Sequence, residues 1–210
     1  IKHKRNNVAF VFGIYIFAKI FLIKSNKMKT KLILSTLLLG AIISCKKDDP
    51  VEPVITNEQE VITTLNYTLT NSNDTTEVIT LSFVDIDGDG GNDPVITGGT
   101  LNSNTIYNGS IELLNETETP AEDVTEEIQE EDEDHQFFFH SDITVLHVDY
   151  ADVDGNGNPI GLSTLLSTFN AGSDTLTITL KHEPTKPNDG TLASAGGETD
   201  IEVSFPINVQ

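Results

Sequence analysis

Seven stretches of this chain alternate apolar and polar residues with a period of two, and no other feature restricts the fold as strongly. Val61, Thr63, Leu65, Tyr67 and Leu69 form the first run, and Ile79, Leu81 and Phe83 the second. Tyr107, Ile111 and Leu113 follow, then Leu146, Val148 and Tyr150, then Leu162, Leu166 and Thr168. Leu176, Ile178 and Leu180 come next, and Ile201, Val203, Phe205, Ile207 and Val209 close the chain. Successive side chains of a strand point to opposite faces, so alternation buries one face and wets the other, as in antiparallel sheets packed face to face. Gly, Asn and Asp clusters separate the runs, as turns require. With Phe137 to Phe139 as a more continuous strand, the pattern predicts an all-β fold, an antiparallel β-sandwich of about eight strands. Pro206 has no amide hydrogen, so the last strand is expected at a sheet edge or with a bulge there.

One segment departs from this period. Thr119-Pro120-Ala121-Glu122 has the form of a capping box, with Thr as N-cap, Pro at the first helical position and Glu at the third. Ala121, Val124 and Ile128 then fall on one helical face, which predicts a short helix over about residues 120 to 131. Eleven acidic residues lie between Glu116 and Asp134, chiefly on the opposite, solvated face.

Charge divides the chain at its only cysteine, Cys45. Residues 1–44 contain eight of the twelve basic residues and no Asp or Glu. From Cys45 onward four lysines face all 33 acidic residues, a formal charge of −29. Nucleic acid phosphates would repel such a surface, which excludes DNA and RNA as partners. The single cysteine also means that no intramolecular disulfide can help the fold, so its core must come from apolar burial.

Met28 to Pro50 reads MKTKLILSTLLLGAIISCKKDDP. A basic head at Lys29 and Lys31 precedes an apolar run, Leu32 to Ile43, shorter than the roughly 20 residues a membrane-spanning helix needs. Ile42-Ile43-Ser44-Cys45 resembles the bacterial lipobox. That resemblance implies cleavage before Cys45 and a covalent lipid, thioether-linked diacylglycerol plus a palmitate-type chain, on that residue. Two or more acyl chains make attachment stable, each buried methylene contributing about 0.8 kcal/mol. Residues 28–44 are therefore expected to be a lipoprotein signal peptide, residues 45–57 a lipidated tether, and residues 58–210 the sandwich domain. Met28 is the only methionine and opens a complete signal by itself, so residues 1–27 read as an upstream extension, or alternatively as a short apolar segment over Val8 to Ile23.

Lys46-Lys47-Asp48-Asp49, directly after the cysteine, resembles the export signal of Bacteroidetes-type lipoproteins. The resemblance implies a lipid-anchored position on the outer membrane, facing the cell exterior; a solvated linker is the plainer reading. From that cysteine through FVDIDGDGGNDP and KHEPTKPNDG to GGETDIEVSF, the chain is similar to small lipoproteins of the same bacterial type, some of which carry the label of a type 1 periplasmic-binding fold. The label implies ligand binding, but the alternation of strands and helices that such an α/β fold requires is missing here.

Two loops are candidate calcium sites. Asp85, Asp87, Asp89 and Asp93 are spaced so that their carboxylates can converge in a glycine-rich turn. Asp152, Asp154, Asn156 and Asn158 repeat that spacing. Neither is an EF-hand, because Ile96 and Ser163 stand where the bidentate Glu belongs. Asp-Gly and Asn-Gly are also favoured hairpin residues, so turn chemistry is the alternative. His135, His140, His147 and His182 form no H-x-x-x-H or H-E-x-x-H pattern, which leaves zinc or haem capture weakly supported. No G-x-S-x-G elbow or phosphate loop occurs, so no enzyme is expected. The stretch from Lys181 to Gly190 and on to Asp200 reads as a long loop, first of all a connecting one, and its two lysines make it the best-placed segment for contact with an anion.

The reading at this stage is a cell-envelope lipoprotein acting as a non-catalytic binding or accessory module. The alternative is a solute-binding lipoprotein delivering a small ligand, metal or haem to an outer-membrane transporter. Replacing Cys45 by Ser should release the protein from membranes and leave its signal uncleaved; mass spectrometry that finds an unmodified Cys45 in the wild type would refute the anchor.

Overall fold

The computed structural model describes residues 60–88 and 90–210. Cys45, the segments expected to be signal peptide and tether, and Asp89 lie outside the described residues. The alternating runs become strands of two sheets. Strands β1 (Thr64–Asn71), β2 (Val78–Val84), β3 (Val95–Thr97), β5 (Ile106–Asn115), β6 (Glu122–Asp123), β8 (Leu146–Tyr150) and β9 (Ser163–Thr168) form one of them. Its order is β3-β2-β1-β5-β9-β8, with β6 paired to the end of β5. Strands β4 (Gly99–Leu101), β7 (His135–Ser141), β10 (Gly172–His182) and β11 (Glu198–Val209) form the other, in the order β4-β11-β10-β7. All pairings are antiparallel except that of β11 with β4.

The inward phase of each strand supplies the core. Leu65, Tyr67 and Leu69 meet Tyr107, Ile111 and Leu113 across β1 and β5. Leu176, Ile178 and Leu180 on β10 and Val203, Phe205, Ile207 and Val209 on β11 face them from the second sheet. These side chains are buried in one cluster, the layered arrangement that period-2 patterning dictates. The first run begins later than its pattern suggests. β1 starts at Thr64, and Val61 is 57% exposed, because the chain joins the sheet only where Thr63 N–H donates to Leu114 O at 2.9 Å. Pro206 lies in β11 just before the three residues, Ile207 to Val209, that pair with β4. Its missing amide hydrogen thus falls at the end of the open part of that strand's edge.

The helical segment is shorter than the capping box predicts. Glu122 and Asp123 pair with Asn115 and Leu114 as β6, and Thr119-Pro120 is a cis peptide. Helix α1 spans Val124–Glu130, with Asp123 as N-cap accepting from Thr125 N–H at 3.0 Å. Pairing with β5 has displaced the start by four residues, and Ala121 is exposed while Val124 and Ile128 are buried as expected. The long loop between β10 and β11 carries a second short helix, α2 (Leu192–Ala195). No helix among the described residues is long and apolar enough to cross a membrane.

Gly109 on β5 shows how tightly neighbouring strands of the larger sheet pack. A Cβ there would run into the Tyr67 ring and the Thr164 hydroxyl, two groups that share a buried hydrogen bond of 2.7 Å. Gly109→Ala should therefore lower the unfolding free energy by about 1–3 kcal/mol, the usual cost of overpacking a close-packed interior. Urea denaturation measures this, and an unchanged midpoint would contradict the packing described.

Candidate metal centre

One end of the sandwich buries four ionisable side chains together. His135 opens β7 and His182 ends β10, and the two are direct partners in the ladder. Their rings stack with centroids 4.6 Å apart at an interplanar angle of 25°. Each continues the inward phase of its strand, His135 with Phe137 and His182 with Ile178 and Leu180. Asp200 belongs to β11 and by simple alternation would face outward with Glu198 and Glu202. The register slips there: Leu180 pairs with Ile201 and Lys181 with Thr199, which leaves Asp200 as the extra residue of a β-bulge. A bulge re-aims a side chain, and the Asp200 carboxylate is fully buried. Glu60 reaches the same place from the segment that leads into β1, and Gly197, at φ 66°, has no Cβ to strike the His182 carbonyl as the chain enters β11.

The ligand atoms converge. His135 Nε2 lies 3.2 Å from Glu60 Oε1 and 4.0 Å from Asp200 Oδ2. His182 Nδ1 lies 3.9 Å from Glu60 Oε2 and 3.8 Å from Asp200 Oδ1. Four ligand atoms, one from each residue, all lie within 4.8 Å of one another. A tetrahedral zinc ion with bonds of 2.0–2.1 Å separates its ligands by about 3.4 Å, so a small contraction closes the set.

Hydrogen bonding says which species this arrangement suits. His135 Nδ1 lies 3.1 Å from the Glu131 carbonyl, just past the end of α1. A carbonyl only accepts, so Nδ1 carries a proton and Nε2 is the ring atom aimed at the centre, the orientation of a metal-ligating histidine; with no cation bound, Nε2 faces the Glu60 carboxylate. Among the described residues, the buried side-chain atoms with no hydrogen-bond partner are His135 Nε2, Glu60 Oε2 and both Asp200 oxygens, all at this centre. Buried polar atoms are normally paired, and each exception calls for a cause. Burial, reinforced by the Glu60 carboxylate, pushes the Asp200 carboxyl up to about 6, against the opposing pull of His182 and His135. Glu127 on α1 is raised by burial and then by Glu60. Ligation requires neutral imidazoles, and with both carboxylates ionised the ligand set would then carry charge −2, which a divalent cation cancels. Mixed N and O ligands suit zinc and its transition-metal neighbours, whereas calcium takes six to eight oxygens.

The residues singled out in the sequence lie elsewhere. In the first acidic loop Gly88 N–H donates to Asp85 Oδ1 at 3.0 Å, and both nitrogens of Asn92 donate to Asp87 Oδ2, at 3.1 and 2.6 Å. The Asn92 backbone bond and then its side chain hold the Asp87 carboxyl below its ordinary value; Asp93 is exposed. In the second loop Asp152 accepts from Gly161 N–H at 2.7 Å and Ser163 N–H at 2.8 Å. Asp154 accepts from the backbone of Asn156 and Asn158 at 2.9 and 2.8 Å. The bonds of Asp85, Asp87 and Asp154 lie within their turns, whereas Asp152 reaches the start of β9. His140 and His147 are 71% and 63% exposed beside Asp142 and Asp149, on different sheets.

Lys186, on the long loop, is buried, and the anion that it meets is internal. Its ammonium donates to the carbonyls of Asp132 and His135, each at 2.6 Å, and to Asp154 Oδ2 at 3.2 Å. It thereby joins the turn after α1, the first residue of β7 and the Asp152–Asn158 loop, and it fixes the backbone of His135. Burial works to raise Asp154, but the bonds from Asn158, Lys186 and Asn156 outweigh it and hold the carboxyl below its ordinary value.

No family model matches this sequence, and no curated protein does. Among solved structures, the chain is similar to the crystal structure of domains 4 and 5 of the S-layer protein SbsC, with 17% identity over 68% of this chain and 75% of that one and a TM-score of 0.26, a likeness too slight to carry an argument.

Lys186→Met should lower the unfolding free energy by about 3 kcal/mol, because it strands a buried carboxylate. Chemical denaturation tests this; a loss below about 0.5 kcal/mol, as for an exposed pair, would contradict the role given to the ammonium.

Proposed function

We propose that this chain is a lipid-anchored envelope protein whose β-sandwich is a non-catalytic module holding one transition-metal cation of the zinc class. The observation that carries the reading is the buried group of Glu60, His135, His182 and Asp200, with its unpartnered nitrogen and oxygens aimed at one point. The lipobox at Cys45 and the Lys-Lys-Asp-Asp run after it support the anchor and its outward-facing position on the outer membrane. The formal charge of −29 past Cys45 supports cation capture by raising the local concentration of positive ions.

Burial favours retention over delivery. The side chains of the four residues are between 0% and 7% exposed. A carrier that hands its cargo to a transporter needs a site open to exchange, and this one is closed by protein on all four ligands. Closed sites with four protein ligands are the structural kind, and their binding free energy adds to folding.

The full-length protein, purified in detergent, stripped with chelator and reloaded, should take up one zinc ion per chain. His135→Ala or His182→Ala should weaken that binding by about 100-fold or more, with the strand signal in circular dichroism retained. Excess calcium should not compete. Zinc uptake untouched by both histidine variants would refute the proposal.

A further inference from the structure

The four ligands belong to two unequal parts of the fold. His135, His182 and Asp200 come from three adjacent strands, β7, β10 and β11, with the two histidines paired in the β7–β10 ladder and Asp200 in the bulge of β11 between the paired Thr199 and Ile201. Glu60 belongs to no strand. Among the described residues the first backbone hydrogen bond along the chain is that of Thr63, so residues 60–62 lead up to the sheet without being part of its ladder. The ion pairs of Glu60 all go to the two histidines. Val61, next to it, is largely exposed. A surface cavity of about 480 Å³ opens on this side, lined by Val61, Ile62, Asp85, Asp87 and Asp200 among others.

This division gives the ligands different tasks. Three ligands on one rigid sheet form a preorganised seat with an open fourth position, the arrangement that leaves a cation exchangeable. Only the fourth ligand closes it. Because His135 and His182 are fixed by strand pairing and Asp200 is held between the paired residues Thr199 and Ile201, a cation can enter or leave most readily by displacement of the Glu60 segment, toward the cavity that its neighbours line.

We infer that Glu60 is the closing ligand of the centre, so that cation occupancy and docking of residues 60–62 onto the four-stranded sheet are a single coupled equilibrium. The inference rests on the cation-binding reading above. The cation thereby clasps the segment entering β1 of one sheet to β7, β10 and β11 of the other, a cross-link in a chain whose lone cysteine cannot form one internally. Linkage makes the coupling reciprocal: the factor by which zinc favours the docked segment is the factor by which docking tightens zinc.

The chain contains no tryptophan, so Ile62→Trp places a single reporter at the residue of this segment that packs against the core when docked. In the full-length protein in detergent, zinc should protect the introduced indole from iodide quenching several-fold relative to the chelator-treated sample. Glu60→Gln should still bind one zinc ion at saturation through the other three ligands. It should bind about 10- to 100-fold more weakly, lose zinc to chelator faster by a similar factor, and show no zinc-dependent protection when combined with the indole reporter. If Glu60→Gln keeps wild-type affinity and release rate while His135→Ala loses zinc, the clasp is refuted and the cation centre stands. Quenching that is identical with zinc and with chelator in a zinc-loaded protein refutes the clasp as well. Failure of the wild type to bind zinc at all overturns both.

Discussion

The antiparallel ladder between β10 and β11 is the constraint on which the rest of this structure depends. It is the longest pairing in the molecule, running from Gly172 opposite Val209 to His182 opposite Glu198. Its regular part sets the inward phase of Leu176, Ile178, Leu180, Val203, Phe205 and Ile207, which form one wall of the core. Its single irregularity, between Leu180 and Lys181, does something different. One extra residue in β11 turns Asp200 from the wet face to the buried end, beside the two histidines that the β7–β10 pairing has already set side by side. The same strands thus supply both the apolar core and the polar centre at its end.

That centre is stable only with compensation. Two ionised carboxylates with oxygens within 4.8 Å of each other repel by roughly 3–4 kcal/mol at an effective dielectric constant near 20, and burial removes the water that would otherwise solvate them. The raised Asp200 carboxyl expresses this cost. Protonation relieves it by discharging one acid; a divalent cation relieves it by pairing with both acids and with His135 Nε2. The surrounding protein already uses an internal cation for a similar purpose one turn away. Lys186, buried, neutralises Asp154 and gathers the carbonyls of Asp132 and His135. In a domain so rich in carboxylates, buried positive charge is the scarce component, and its placement organises this end of the sandwich.

Much of the fold was legible in the sequence, because strand burial is a local property. The period-2 runs from Ile79 to Val209 became strands with the expected faces inward, and Phe137 to Phe139 became part of β7. The capping box at Thr119 to Glu122 misled because β6 pairing with Asn115 and Leu114 competes for the same residues, and long-range pairing overrode local helix chemistry. The centre was less legible. Its residues are spread from position 60 to position 200, so no motif spacing announces them. Two of the four did leave a trace: His135 and His182 extend the inward phase of Phe137 and of Leu180, where an apolar residue belongs. Asp200 left none, since its burial is created by a register slip that no local pattern encodes. Glu60 sits on the outward phase of the first run and turns inward only because β1 begins four residues later. Attention to Asp-x-Asp-x-Asp spacing found two loops whose carboxylates accept from nearby backbone amides, from Asn92 and, at Asp154, from Lys186.

The most direct test is X-ray absorption at the zinc edge on the reloaded full-length protein. The account predicts a first shell of four nitrogen and oxygen ligands at about 2.0–2.1 Å, with the outer-shell scattering of two imidazole rings. A shell of six oxygens without imidazole scattering would place the metal on surface carboxylates instead and would contradict the centre described.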